Sequence, residues 1–295
     1  MRLTIRAAGP SDVPSLVEIY DRAYHGGYSA CFDRYGPSTP QDFWWVQSEK
    51  PVFLIDLNQR PGGLIILGKV GRQLLVEEFL IHTPAASREP DGRAQLEETV
   101  TNGVHEFLVK KFQDERQDLV TLRCAETNPA GLLLARRHGF SFANALVVAS
   151  GAVRGEAPAP APAGYTIRRA SQADARSVAR LHEETLRVPV RSEDLHNLSK
   201  QSDMRVFLAE REAFPVGLAL AQAKDGVGRW TVGVRDAHRH KGLGRALAQE
   251  TLQFFAARKL TPITTYWALD TEAARFARSL EARTERTYLY FEKRI

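Results

Sequence analysis

In the second half of the chain, short alternating apolar runs give way, in a regular order, to longer segments of helical period. Residues 230–234, Trp-Thr-Val-Gly-Val, alternate bulky and small side chains and predict a buried strand. From Gly244 the period changes. Leu247, Leu252, Phe254 and Phe255 are apolar among Gln249, Glu250 and Gln253, which predicts a helix. The same reading predicts strands near 165–169, 204–211, 214–224, 228–235, 261–268 and 285–294, and helices near 171–186, 192–201, 243–258 and 270–281. Such alternation implies an α/β class, with helices covering a central mixed sheet.

The first half repeats this order. Ile5-Arg-Ala-Ala-Gly-Pro-Ser-Asp12 aligns with Ile167-Arg-Arg-Ala-Ser-Gln-Ala-Asp174 at an offset of 162 residues. The helices that follow also match, Leu16 with Val178 and Ile19 with Leu181. Further on, Val52-Phe-Leu54 aligns with Val206-Phe-Leu208, and Pro61-Gly-Gly-Leu64 with Pro215-Val-Gly-Leu218, at an offset of 154. The first half therefore carries about eight extra residues, which fall in the aromatic stretch from Tyr24 to Trp45. Between the halves lies Ala157-Pro-Ala-Pro-Ala-Pro-Ala163. Such a run suits a semi-rigid linker, because proline can enter neither a helix interior nor a central strand. The expected domains are 1–150 and 165–295, joined by 151–164.

Composition narrows the class. Of the 295 residues, 43% are hydrophobic and 25% charged, as in soluble globular proteins. Lys and Arg number 40 against 35 Asp and Glu, a net charge of +5. That mild excess attracts an anionic cofactor but is too scattered to argue for nucleic acid. Cys31 and Cys124 lack metal-ligand spacing and are expected to be buried small residues, so no metal is expected. No signal-like segment or spanning apolar run is present, which predicts a cytoplasmic protein without membrane partners. The expected assembly is a monomer or homodimer.

The chemistry concentrates between the strand and helix around position 240. A strand, a short Gly-containing loop and a helix start make an anion site. The first helical N–H groups have no intrahelical partner, and the helix dipole favours negative charge there. Gly242 and Gly244 let backbone approach a phosphate, and Arg239, His240, Lys241 and Arg245 surround it. Neither the nucleoside-triphosphate loop G-x-x-x-x-G-K-[ST] nor the dinucleotide fingerprint G-x-G-x-x-G is present. The segment Arg239-x-x-Gly242-x-Gly244-Arg-Ala resembles instead the pyrophosphate loop of the GNAT acetyltransferase superfamily. The element order of both halves resembles that fold as well, which implies two tandem GNAT-like domains, each a mixed, mostly antiparallel sheet flanked by helices.

The resemblance implies acetyl-CoA as co-substrate and no metal. Backbone groups of Val232, Gly233 and Val234 would hold the pantetheine arm and polarise the thioester carbonyl. Backbone N–H groups of His240, Lys241, Gly242, Leu243, Gly244 and Arg245 would hold the pyrophosphate. In the first half, Gly92-Arg-Ala94 aligns with Gly244-Arg-Ala246, which puts Ser87 at Arg239 and Pro90 at Gly242. Proline has no N–H to donate, and Glu89 and Asp91 add negative charge, so the first half is expected to bind acyl-CoA weakly or not at all. It nevertheless keeps Asn128-Pro-Ala-Gly-Leu-Leu-Leu-Ala-Arg-Arg-His-Gly139-Phe140, which resembles a later family segment. There Asn128 suits a helix cap, Pro129 the first turn and Gly139 the C-terminal turn. The second half has Asp270 and Glu281 at the Asn and Gly positions.

Many family members carry a Tyr seven residues after that Asn as general acid, whereas this chain has Ala135 and Ala277. Tyr288 and Tyr290 on the last strand are alternative acids, against which stands the plainer reading of aromatic packing in a strand. Gly228 stands about where some relatives place a base carboxylate. Asp225, Glu183, Glu184, His182 and His196 remain unranked alternatives, and His238 is expected to be solvated. The catalytic residues are therefore left unassigned. The acceptor is expected to be the amine of a small molecule or peptide. The resemblance implies that residues 186–198 shape its pocket, and the aromatic 24–45 stretch, their first-half equivalent, either lines a pocket or forms an internal interface. A non-catalytic acyl-CoA-binding sensor or scaffold is the alternative function.

Overall fold

The computed structural model describes residues 2–25, 39–81, 90–151, 160–186, 203–224 and 226–294. The extra residues of the first half fall largely outside them. The chain forms two compact units.

Unit 1 comprises Met1–Val147, Trp267–Leu269 and Arg286–Ile295. Its strands β1 (Leu3–Ala7), β2 (Val52–Leu57), β3 (Arg60–Val70) and β4 (Gln73–Ile81) pair antiparallel in succession. β5 (Leu119–Ala125) joins β4 in parallel. Its helices are α1 (Val13–His25), α2 (Pro40–Glu49), α3 (Pro90–Asp114) and α4 (Pro129–Arg137). Strand alternation sends Phe53, Ile55, Ile65 and Leu67 into a core with α3 and α4, and Val52, Leu54, Leu64 and Ile66 into a second core with α1 and α2. Both faces are covered, so β2 and β3 read as nearly continuous apolar runs. β6 (Ser141–Ser150) belongs to unit 1 as far as Val147.

Unit 2 comprises Val148–Tyr266 and Asp270–Glu285. β7 (Thr166–Arg169), β8 (Met204–Arg211), β9 (Phe214–Lys224) and β10 (Val227–Val234) pair antiparallel, and β11 (Thr261–Trp267) joins β10 in parallel. The helices α5 (Ala175–Leu186), α6 (Leu243–Ala256) and α7 (Thr271–Ser279) match three of the predicted segments. The helix predicted at 192–201 lies outside the described residues. Val206, Leu208 and Leu218 pack with Val178 and Leu181 of α5, while Ala209, Ala219 and Val234 pack with Leu243 and Leu247 of α6.

The repeated Ile-Arg…Asp motif is a clamp between a strand end and a helix start. Arg6 spans Asp12 (2.7 and 2.9 Å) and Asp56 on β2 (2.7 Å). Arg168 spans Asp174 (2.9 and 2.8 Å) and the buried Glu210 on β8 (3.0 and 2.7 Å). Forked guanidinium geometry explains why both halves keep Arg and Asp here.

The last strand departs from the half-by-half division. β12 (Arg283–Lys293) pairs antiparallel with β5, from Tyr288 opposite Ala125 to Lys293 opposite Val120. Residues 286–295 thus belong to unit 1, although they lie in the expected second domain, 165–295. An alternating strand records which faces are buried but not which backbone it pairs with.

Candidate functional site: a strand edge and a helix start

β10 and β11 diverge. Their parallel ladder covers only Val227–Thr261, Gly228–Pro262 and Arg229–Ile263, whereas β9 stays paired with β10 through Val234. Arg235 N–H donates to Val216 O at 2.9 Å, so residues 231, 233 and 235 direct their backbone groups to β9. Alternation turns Val232 and Val234 the other way, towards the side where β11 has moved off. The Trp230 carbonyl on that side accepts from Thr264 Oγ1 (3.2 Å), and the Val234 carbonyl accepts from Arg239 Nε (3.1 Å). Gly233 lets α5 approach the other face: a Cβ there would lie 2.1 Å from Thr185 Oγ1.

Beyond β10 a tight turn closes through His238 N–H to Arg235 O (2.8 Å) and Arg239 N–H to Asp236 O (3.2 Å). His240 and Gly242 then take left-handed backbone angles, φ 60° and 83°. Gly242 is the N-cap of α6 and supplies no side-chain cap. The first helical bond runs from Ala246 N–H to Gly242 O at 3.0 Å, so the N–H groups of Leu243, Gly244 and Arg245 precede the ladder. α4 and α7 are different. Asn128 Oδ1 accepts from Gly131 N–H at 3.0 Å, and Asp270 Oδ1 accepts from Glu272 N–H (3.1 Å) and Ala273 N–H (2.9 Å). The helix start at the basic loop is the one left open to an external anion among these three.

The predicted cations are not equivalent. Arg239 is held by internal partners: Nη1 to Glu272 (2.9 Å), Nη2 to Asp236 (3.0 Å) and Nε to the Val234 carbonyl. It ties the turn to β10 and α7 rather than offering its charge outwards. Lys241 Nζ donates to Ala237 O (2.9 Å), and the exposed His240 lies 3.8 Å from Glu272. Arg245 is exposed on the first turn of α6 and makes no ion pair among the described residues. Leu243 is buried, and a Cβ on Gly244 would lie 3.3 Å from the Phe276 ring, so both anchor the helix start.

The acid–base candidates are mostly withdrawn by their surroundings. Glu184 pairs with Arg180 (2.7 Å) and Arg235 (2.9 Å), which hold its carboxyl below the usual range and make it a poor proton acceptor. His182 is buried in α5 and Glu183 is exposed. Asp225 and His196 lie outside the described residues. A Cβ on Gly228 would lie 2.4 Å from the fully buried Phe255 ring, which explains the absence of a side chain there. Ala135 and Ala277 are buried on their helices. Tyr288 and Tyr290 belong to the unit 1 sheet; Tyr290 packs edge-on to Trp267 at 4.9 Å. His238 is half-buried rather than solvated, with Nδ1 3.0 Å from the Tyr165 hydroxyl, because Tyr165 returns from the linker to cover it.

In unit 1, α3 begins at Pro90, and residues 87 and 89 lie outside the described residues. Asn128 caps α4 as expected and also donates to Phe79 O (2.8 Å), while Gly139 has φ 70°. Cys124 is buried, which pushes its thiol up to about 12; Cys31 is outside the described residues. Trp44 and Trp45 of the aromatic stretch are exposed on α2, and Phe43 is buried. Among the described residues no cluster of metal-ligating side chains is present, and no helix is long and apolar enough to cross a membrane.

The sequence reading took Pro162 only as part of the linker and did not single out Tyr165, Asp236 or Glu272. No periodic pattern marks them, and only tertiary contact joins them to the loop.

Residues 175–280, from the start of α5 through α7, match the model of the Acetyltransferase (GNAT) family. This segment is a GNAT acetyltransferase domain. A GCN5-related N-acetyltransferase from Sphaerobacter thermophilus superposes with a TM-score of 0.73 at 20% identity, covering 99% of this chain and 95% of that one. A tandem GNAT protein from the clavulanic acid biosynthesis pathway gives 0.70 at 14% identity, covering 99% and 98%. At these identities the likeness is one of fold, and it embraces both GNAT-like halves. No curated protein matches the chain. The GNAT family is one of acyltransferases, and the opened strand edge and helix start both lie inside or beside the matched segment.

Proposed function

We propose that the second half transfers an acetyl group from acetyl-CoA to an amine of a small molecule or peptide. The observation that carries this reading is the combination of β10, opened from β11 at Val232 and Val234, with the uncapped start of α6. An extended chain ending in a pyrophosphate suits that pair of features. The N–H groups of Leu243, Gly244 and Arg245 would meet the phosphates, each charge-assisted bond contributing about 1.5–3 kcal/mol. Backbone groups of Val232 and Val234 would hold the thioester arm and polarise its carbonyl. The amine nitrogen attacks the carbonyl carbon, the C–S bond breaks, and the amine proton leaves to solvent or to the thiolate. No side chain is assigned to carry that proton. Holding amine and thioester together supplies much of the rate, and a thiolate of ordinary pKa near 8.5 leaves without full protonation. Pro90, which aligns with Gly242 in the sequence and has no N–H to donate, supports the reading that unit 1 is a degenerate copy with a structural or acceptor-shaping role.

Calorimetric titration of acetyl-CoA into the whole chain tests this, with Gly242→Pro in parallel. One site per chain is expected, lost in the variant, because proline cannot adopt the φ of 83°. Two sites, or one that survives, would return the first half to consideration. The scarcity of an available acid or base along β10 favours one second reading, an acyl-CoA-binding sensor. Coenzyme release in the presence of a panel of amines separates it from the enzyme.

A further inference from the structure

The end of the Pro/Ala run and the residues before β7 lie against the candidate coenzyme loop. Tyr165 N–H donates to Pro162 O (3.0 Å), closing a turn. Pro162 Cγ stands 3.5 Å from where a Cβ on Gly242 would lie. The Tyr165 ring meets His238 edge-on at 5.8 Å, its hydroxyl lies 3.0 Å from His238 Nδ1, and the Arg211 guanidinium sits over the ring at 6.0 Å. His238 in turn closes the turn after β10 through its N–H to Arg235 O. Burial, followed by the charges of Lys241, Arg211 and Arg235, lowers the pKa of His238 and favours the neutral ring. The neutral ring joins the hydroxyl in either tautomer, Nδ1 accepting the Tyr165 O–H in one and Nδ1–H donating to the Tyr165 oxygen in the other. The turn that leaves β10 is thus gripped from outside by a residue 73 positions earlier.

We propose that Tyr165 is a positioning residue for the coenzyme loop. Its hydroxyl fixes the His238 ring, and the ring fixes the path of residues 236–242, which presents the first N–H groups of α6. The linker end is then part of the binding apparatus as well as a spacer. This rests on the coenzyme reading above. A purely structural Tyr165 would contribute packing alone, and phenylalanine would replace it without loss of affinity.

The test is a double-mutant cycle on the full chain: wild type, Tyr165→Phe, His238→Ala and the double variant, each titrated calorimetrically with coenzyme A. Tyr165→Phe keeps the ring and its packing, so the fold survives. Its affinity is expected to fall about three- to tenfold, the effect of one lost hydrogen bond on the loop's bound geometry. The double variant is expected to bind within about twofold of His238→Ala, because both changes break one path. Amide exchange in residues 239–245 should quicken in Tyr165→Phe while the strands of unit 2 stay protected. Wild-type affinity in Tyr165→Phe, or additive losses in the double variant, overturns the proposal alone, provided that wild type binds and Gly242→Pro does not. If wild type fails to bind coenzyme A, the coenzyme reading falls and the positioning role with it.

Discussion

Replacing Gly233 by alanine adds one methyl group where the two elements that frame the candidate thioester site touch. The new Cβ would lie 2.1 Å from Thr185 Oγ1, 2.8 Å from Thr185 Cβ and 3.3 Å from Leu186 Cγ. Thr185 Oγ1 donates to Leu181 O at 2.7 Å, which leaves its side chain little freedom to turn aside. Relief therefore requires α5 and β10 to part by on the order of 1 Å, and overpacking of that kind costs about 1–3 kcal/mol. The melting temperature should fall by roughly 2–12 °C, taking about 2–4 °C per kcal/mol. Coenzyme affinity should fall too, because Val232 and Val234 flank the displaced residue. Differential scanning calorimetry and coenzyme titration on Gly233→Ala, Thr185→Ala and the double variant measure both effects. Thr185→Ala removes the nearest atom but leaves its Cβ, so the double variant should recover part of the loss, with a coupling of about 0.5 kcal/mol or more. Unchanged stability in Gly233→Ala, or strictly additive losses, would refute the close approach of α5 to β10.

Two further outcomes follow from local geometry. Arg168→Ala should destabilise the chain by about 1–2 kcal/mol at pH 7 in urea denaturation: it leaves the buried Glu210 without its cation, but the guanidinium is partly exposed and its contribution is screened. Arg168 holds the Asp174 carboxyl well below its usual range, so this stabilisation is present above about pH 4 and fades as pH falls through the folded value. The gap between wild type and Arg168→Ala should therefore narrow in melts at pH 3. Glu281, at φ 57°, occupies the left-handed position after α7 that Gly139 fills after α4, and Glu281→Gly should raise stability by about 0.5–1 kcal/mol in the same assay.

Much of this protein was legible in the residues themselves. The internal repeat named two related halves because both preserve an Arg clamped between acidic groups, an interaction local enough to leave a fixed spacing. Helical and strand periods placed β8, β9, β10 and α6, since each buries a face whose spacing sequence records directly. The loop at Gly242 was visible because a left-handed N-cap favours glycine. Asn128 and Gly139 were visible as caps for similar reasons.

Tertiary structure alone decided the rest. Arg239 reads in sequence as a free cation, yet Glu272, 33 residues later, neutralises it. Glu184 reads as an available base and is held ionised by Arg180, one turn earlier, and by Arg235, 51 residues away, of which only the second needs the fold. Tyr288 and Tyr290 sit in the second half of the sequence, but β12 completes the sheet of unit 1 beside β5. Tyr165 precedes an ordinary strand and reaches His238 only in the folded chain. Sequence determines local backbone preference and which face each element buries, because those depend on near neighbours. It does not name the partner of a strand edge or of a charged side chain. Backbone hydrogen bonds are the same for every sequence, and ion pairs form between whichever groups the fold brings within reach.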